Sequence, residues 1–400
     1  MAGILCAYSL KHAGIDYVLV ESGRVGMGIT KNTTAKITSQ HGLIYDRLCR
    51  DVGIEKAKMY LQANQNAVDD FKRLSVKAPC SFEEKAAFVF SLNDRHSIER
   101  EVRAANCLGF NARLTERLPL PFKIAGAVAF PNQAQLNPLQ LLYGISKGLN
   151  IYENTTVREL ANNIAITDNA RIKADKIIVA THFPLLNKHG SYFLKMYQRR
   201  SYVIALENAG SIDGMYIQAV DDGISLRNYD DLLLVGGGGH RTGEKGGSLR
   251  ELRRFAKRYF PHAIERYSWG TQDCMTLDGI PYIGRYSASA DDLYVITGFN
   301  KWGMTSAMAG AMILADMIRG KHNPYAEVFS PQRSMLKPQL LLNGAAAVKN
   351  LLTPSARRCP HMGCALKWNG LERTWDCPCH GSRFEQNGRL IDNPATGGLR

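Results

Sequence analysis

Near the C-terminal end of this 400-residue sequence, four cysteines and two histidines crowd into 22 positions, as Cys359-Pro-His361-Met-Gly-Cys364 and Cys377-Pro-Cys379-His380. The whole chain holds nine cysteines, so such crowding marks a site rather than a background rate. Each tract offers one Cys and one His at short spacing: C-x-H, then fifteen residues, then C-x-x-H. Two loops must therefore meet around one inorganic centre, and that demand governs what the C-terminal segment can fold into.

The other end of the chain carries a second constraint. Gly3 opens a helix in which Ala7, Leu10 and Gly14 follow at spacings suited to close packing on a sheet, and Tyr17-Val18-Leu19-Val20 is a short buried strand ending in Glu21. Glycine, helix, strand and acid form the second half of a dinucleotide-binding βαβ unit. Glu21 lies 18 residues after Gly3, against about 20 expected for a ribose-binding carboxylate. The first strand and the first two glycines of G-x-G-x-x-G would precede Met1. The chain is thus expected either to be truncated there or to bind its nucleotide poorly.

A stretch rich in Gly, Thr and Ser over 23–45 is too long and polar for a plain connection. Beyond it the pattern predicts helices over 46–75, near 96–108 and after Pro138. It predicts strands at 87–90, 149–157, 176–181, 201–206, 231–235 and 293–297, a turn at 236–239, and a helix from 303 to 319 closed by Gly320. Residues 321–356, with Pro324, Pro331, Pro338 and Pro354, read as connector that includes a helix-like stretch, Asn343–Leu352.

Lys plus Arg total 50 and Asp plus Glu 36, a formal charge of +14. The basic residues are spread thinly. The densest run, 250–258, sets Leu249, Leu252, Phe255 and Tyr259 at helical spacing and reads as a solvated helix face. Nucleic-acid binding is not expected, no window holds the roughly 18 apolar residues of a membrane span, and the opening residues are not expected to act as a signal peptide. Those features point to the cytoplasm. The scattered Cys6, Cys49, Cys80, Cys107 and Cys274 read as free thiols.

Several separated motifs make residues 1–335 resemble the FAD-dependent D-amino-acid oxidase and glycine oxidase family. Gly3 with Glu21 matches the end of its FAD fingerprint. Thr30, Asn32, Thr33, Thr34, Ala35 and Lys36 match its loop beside the flavin, and Val157 matches the strand whose backbone meets the adenine. Ala180-Thr181-His182 matches an Ala-Thr-Gly turn, with His182 in place of glycine. Thr276, Asp278, Gly279, Pro281, Ile283 and Gly284 resemble its T-x-D-G-x-P-x-I-G segment. Gly298-Phe299-Asn300-Lys301-Trp302-Gly303-Met304-Thr305 resembles the strand-to-helix turn at the isoalloxazine edge. That turn has its own physical sense: a helix N-terminus offers unpaired N–H groups, and Lys301 adds positive charge, where a reduced flavin is anionic.

The resemblance implies oxidation of an amine or amino-acid C–N bond by hydride transfer to FAD. It places the substrate carboxylate on an Arg or Tyr, with Arg227 and Tyr229 as candidates, then Gln133, Gln135, His41 and His240. Lys36, in the flavin loop, is expected to assist hydride arrival or oxygen reduction electrostatically.

The C-terminal tracts resemble the Rieske [2Fe–2S] pattern. This implies Cys359 and Cys377 on one iron and His361 and His380 on the other, with a potential raised to roughly −150 to +300 mV by neutral imidazole ligands. It also implies a disulfide between Cys364 and Cys379; two free thiols are the alternative. Zinc is the competing metal, although zinc knuckles favour C-x₂-C or H-x₃₋₅-H spacings and C-x-H is awkward for one ion. A Rieske domain normally brings several antiparallel strands before its first ligand loop, so part of the supporting sheet is expected to be missing.

The combined expectation is an α/β (α+β) chain. An FAD/NAD(P)-binding Rossmann-like domain with an antiparallel-sheet substrate domain would span 1–335, with FAD-binding parts about 1–75, 150–185 and 275–335 and substrate parts about 76–149 and 186–274. A linker over 336–356 and a small all-β Rieske segment over 357–400 would follow. Electrons would run from the small-molecule substrate through FAD and the cluster to an unknown acceptor. One alternative is a truncated, cluster-binding electron-transfer protein without flavin activity. Another is a Rieske oxygenase, which needs a separate 2-His-1-carboxylate iron site; no such spacing follows the cluster tracts.

Overall fold

Gly3 meets Leu19 so closely that a Cβ on it would lie 3.3 Å from the Leu19 Cδ1 atom, and this contact seats the first helix, Ala2–His12, on the strand Leu19–Val20. The computed structural model in which this is seen describes residues 1–185 and 190–399; 186–189, at the start of the second expected substrate-domain part, and Arg400 lie outside the described residues. Ile4, Leu5, Ala7 and Leu10 of the helix are buried, and its neighbour is the helix Gly303–Ile318. Two parallel strand pairs make up the nucleotide-binding layer: Leu19–Val20 beside Ile151–Tyr152, and Ile177–Val179 beside Leu293–Thr297. Tyr282–Arg285 closes the second pair antiparallel.

The helix expected over 46–75 is two helices, Tyr45–Val52 and Ile54–Lys77. They part at Gly53, whose φ of +85° lies where only glycine rests without cost. The longer helix buries Tyr60, Ala67 and Phe71 in a core shared with Tyr45, Phe130, Leu314 and Phe329.

A nine-stranded mixed sheet forms the second layer. Its centre of interest is Met196–Glu207, antiparallel to Leu232–Arg241 on one side and to Ile264–Thr276 on the other. The turn expected at 236–239 is a bulge within one strand: the pairing continues past the glycines but shifts register between Tyr202 with Gly237 and Arg200 with His240. A Cβ on Gly238 (φ +60°) would lie 3.0 Å from the Ser248 carbonyl oxygen, so glycine lets the strand pass under the start of the helix Leu249–Tyr259. That helix is amphipathic as its spacing predicts, with Leu252 and Ala256 buried and Ser248 capping it.

Much of the stretch read as linker is ordered helix, Pro338–Leu352, with Pro338 in its first turn. Its buried Asn343 donates to the Leu194 carbonyl (3.1 Å) and accepts from Arg241 Nη1 (3.2 Å), which ties the helix to the large sheet. A four-stranded antiparallel sheet follows, Lys367–Asn369, Thr374–Asp376, Arg383–Glu385 and Leu390–Asp392. Among the described residues no helix is long and apolar enough to cross a membrane.

Candidate active site and metal centre

Between the nucleotide-binding layer and the large sheet lies a cavity of about 1480 Å³. That exceeds the roughly 300–1,000 Å³ of an ordinary ligand site and leaves room for a dinucleotide and a small substrate. Gly3, Glu21, Thr30, Thr33, Thr34 and Lys36 line it, as do Val157 and Thr181. Glu21 is held at the strand end by the Gly23 N–H (2.9 Å), and Thr30 Oγ1 accepts from the Met1 amino group (2.9 Å). Burial pulls that amino group down to about 6, against the opposing pull of Glu21.

Lys301, Trp302, Gly303 and Met304 bring the start of the Gly303–Ile318 helix to the same wall. No side chain caps this helix, so its first N–H groups are free to meet an electron-rich ring edge. Trp302 stacks on His41 at 4.7 Å. His41 bridges Tyr60 OH (2.6 Å) and Thr305 Oγ1 (3.0 Å), and burial holds it neutral, at about 3.

Other expected cofactor residues stand behind the wall. Ala35 (φ +45°) is fully buried in the loop turn. Gly298 leaves room for Thr276, and Asn300 takes the Thr276 N–H on Oδ1 (2.8 Å) while donating to the Gly298 carbonyl (2.6 Å). Thr305 donates to the Thr38 carbonyl (3.1 Å). At Gly279 a Cβ would lie 2.5 Å from Arg47 Nη2, and the adjacent Asp278 is locked to Arg333. Burial would raise the Asp278 carboxyl, but Arg333 wins and holds it below the usual range.

Arg227 requires a correction. It does not line the cavity; its guanidinium lies buried over the Tyr229 ring at 5.6 Å, on the same face of the strand Ser225–Tyr229 as Ser225 but two residues further along, past the edge of the cavity. Gln133, Gln135, Tyr229 and His240 are also off the cavity wall, whereas His41 is on it. Lys36 Nζ donates to Ser225 Oγ at 2.6 Å, and burial, reinforced by Arg227, lowers its pKa to about 7. The cavity also exposes a charged group that sequence reasoning missed: Asp222 pairs with Arg199 and with Lys301, and Asp273 lies near them with its carboxyl raised by burial. These residues lie on separate strands and turns, and no local spacing marks them.

In the C-terminal segment each tract is a tight loop: Gly363 N–H returns to the Cys359 carbonyl (2.8 Å) and Gly381 N–H to the Cys377 carbonyl (2.9 Å). Cys364 and Cys379 are joined by a disulfide. Cys359 and Cys377 are buried free thiols facing each other; their mutual hydrogen bond lowers Cys359 to about 7 and raises Cys377. Burial lowers His361 to about 4 and His380 to about 3, so both imidazoles are in the neutral, ligating form. Their Nδ1 atoms lie 3.2 Å apart. Two nitrogens on one tetrahedral ion at about 2.0–2.1 Å would be roughly 3.3 Å apart, so the pair has the bite of a single metal ion. Ligand atoms of Cys364, Cys377 and His380 fall within 4.8 Å of one another, but the Cys364 sulfur is committed to the disulfide. Two thiols and two neutral imidazoles thus fit a mixed-ligand two-iron centre.

The two sites share a boundary. Residues 389–398 of the C-terminal segment form part of the cavity wall, and Arg158 Nη1 donates to the Thr396 carbonyl at 2.5 Å. Asn393 Nδ2 donates to the carbonyls of Thr181 (2.5 Å) and Phe183 (2.9 Å). Phe183 sets its edge against both His361 and His380, with ring centres 6.2 Å away in each case.

The comparisons with known proteins agree with this division. Residues 1–317 match the model of the FAD dependent oxidoreductase (DAO) family, and residues 341–400 match that of the Rieske [2Fe-2S] domain. The chain therefore belongs to the FAD-dependent oxidoreductases of the DAO family and carries a Rieske domain; its cofactors are FAD and a [2Fe–2S] cluster. It is 34% identical to YhfW of Bacillus subtilis (strain 168), a protein named for a Rieske 2Fe-2S iron-sulfur protein, over 99% of this chain and 90% of that one. Among solved structures, L-proline dehydrogenase from P. horikoshii superposes with a TM-score of 0.70 at 19% identity, covering 83% of this chain and 94% of that one. Glycine oxidase from Geobacillus kaustophilus gives 0.70 at 16%, covering 83% and 96%. At such identities these two show the fold alone.

Proposed function

We propose that this protein oxidises the C–N bond of a small amine or amino acid and passes the electrons one at a time through its Rieske centre to an external acceptor. The observation that carries the reading is the shared wall: the cluster segment lines the cavity that the FAD-binding half builds. When bound, FAD accepts a hydride from such a bond, and a cluster with mixed thiolate and imidazole ligands takes single electrons. L-proline dehydrogenase and glycine oxidase, by name, act on substrates of this class.

In this reading Cys359 and Cys377 hold one iron and His361 and His380 the other. Gly3, Glu21, Thr30, Thr33, Thr34, Val157 and Thr181 contact the nucleotide portion, and Lys301 to Met304 the ring system. Ala35, Gly279, Gly298, Asn300 and Thr305 shape the turns behind them. Lys36, on the wall with a pKa near working pH, takes the proton of the substrate nitrogen. A substrate carboxylate meets Arg199 or Lys301 rather than Arg227. The five free cysteines outside the cluster tracts support a cytoplasmic location.

The test is anaerobic mixing of the FAD- and cluster-loaded protein with glycine, sarcosine, L-proline and D-alanine in turn. Flavin bleaching followed by the electron paramagnetic resonance signal of a reduced Rieske cluster supports the reading. Bleaching with the cluster left oxidised, or protein that holds stoichiometric zinc and no iron, defeats it.

A further inference from the structure

We propose that His182 and Gln198 form the electron path between the flavin cavity and the cluster, with Gln272 as the positioning residue that keeps the path in register. This rests on the reading that electrons pass from FAD to the cluster, and it deepens that reading by naming the route.

His182 is on the cavity wall with its backbone at φ +66°, a left-handed conformation that glycine adopts most readily and that His, Asn and Asp adopt more often than other side chains. Its imidazole is buried, its Nε2 has no hydrogen-bond partner, and the Gln198 side chain and the Gln272 backbone lie beside it. A buried ring whose Nε2 has no partner is costly as mere packing.

Gln198 and Gln272 sit on neighbouring strands of the large sheet and are almost wholly buried. Gln198 Nε2 donates to the carbonyls of His380 (2.7 Å) and Asn393 (3.1 Å), while its Oε1 accepts from Gln272 Nε2 (2.6 Å). Gln272 Nε2 also donates to the Gly381 carbonyl (2.8 Å), and its Oε1 accepts from Thr242 Oγ1 (3.0 Å). Both amides are thus spent on the backbone of one ligand loop. Burying two amides is unfavourable unless each is bonded, and an apolar pair would hold the sheet as well. The approach is close enough that a Cβ on Gly381 would lie 2.6 Å from the Gln198 Cβ. From cavity to cluster the chain of contacts is therefore the His182 ring, the Gln198 amide and the backbone of His380. Of these links, the one from Gln198 to the His380 carbonyl is a hydrogen bond, and the His182 ring lies beside the Gln198 amide.

The electron count closes. Converting a C–N single bond to C=N removes two electrons and two protons, leaving as a hydride and a proton. Each passage through His182 and Gln198 moves one electron and converts one ferric iron to ferrous. The second passage follows when a one-electron oxidant of the haem or iron–sulfur class has re-oxidised that iron.

The experiment uses anaerobic holoenzyme and a laser flash on 5-deazariboflavin as photoreductant, following re-equilibration between the flavin and cluster absorbance bands. His182→Asn keeps a residue that tolerates the left-handed backbone but is too short to bridge; Gln198→Met removes the amide at similar size. His182→Asn is expected to slow re-equilibration by about tenfold or more, with flavin content, cluster resonance signal and cluster potential unchanged. A shifted potential or loss of the cluster in Gln198→Met or Gln272→Met supports their hold on the ligand loop. An unchanged rate in His182→Asn overturns the path while leaving the parent reading intact. No re-equilibration in the parent itself overturns the reading on which the path rests.

Discussion

Lys36 donates to Ser225 Oγ in the cavity wall, and loss of solvent, with the neighbouring charge of Arg227, holds its pKa at about 7. An unfolded lysine keeps its proton to about 10.4. Between about 7 and 10.4 the unfolded chain therefore binds more protons than the folded one, and stability rises with pH; below about 7 the full cost of the enclosed charge is present. Lys36→Met should be more stable than the parent at about pH 6, with the gap closing toward about pH 10. Urea midpoints at the two pH values check this, and a gap of constant size would show that the lysine is not desolvated. The residue was singled out from its loop because the resemblance was local and contiguous there. Arg227 was misjudged for the opposite reason: it shares a strand face with the cavity-lining Ser225, and how far along that strand the cavity reaches is set by long-range packing that spacing does not reveal.

On the strand Arg383–Glu385, Arg383 is buried and meets Asp376 (3.1 Å), Asp392 (3.1 Å) and Glu372 (2.5 Å). Glu372 also accepts from Tyr202 OH (2.8 Å) and pairs with Arg200 of the large sheet, so one charged knot joins the small sheet to the large one. Arg383→Met would leave Asp376 and Asp392 without their cation and Glu372 with Arg200 alone, and should cost about 3–5 kcal/mol. The cluster signal should then disappear at lower urea than in the parent while the flavin midpoint holds; an unaltered cluster midpoint would deny the knot any role. The disulfide gives a companion prediction. Replacing both Cys364 and Cys379 by Ser should cost about 2–5 kcal/mol and shorten cluster lifetime in air, whereas equal lifetimes would reduce the pair to packing. At this scale the loops were legible because their spacing is local. The helix Pro338–Leu352 was legible only from Asn343 on, because Pro338 was read as part of a connector rather than as a first-turn residue. The glycines at 236–239 were read as a turn because only the nearby Ser248 explains why a strand needs them.

Because both halves enclose one cavity, occupancy of one should be felt by the other. Adding FAD to flavin-stripped protein should slow amide exchange over 389–398 as well as over 155–158, with a gain of about 2.7 kcal/mol when FAD is at a hundred times its Kd. Protection confined to the FAD-binding half would show that the shared wall is loose. None of this enclosure was legible beforehand: Asn393 and the Thr181 carbonyl it grips are 212 positions apart, and nothing in either stretch announces the other. Gln198 and Gln272 likewise look like ordinary strand residues until the ligand loop is laid across them. The edge contacts of Phe183 and Phe193 on the imidazole pair have a kinetic meaning as well. A carrier that must swing between donor and acceptor turns over at a pace set by the solvent it moves through. Here the imidazole side is already packed against Phe183 and Phe193 of the cavity half, and Met362 is on the exposed side of the loop. Delivery inside the molecule should proceed at the same pace in buffer and in thick glycerol, and only the handover to the outside world should feel the drag.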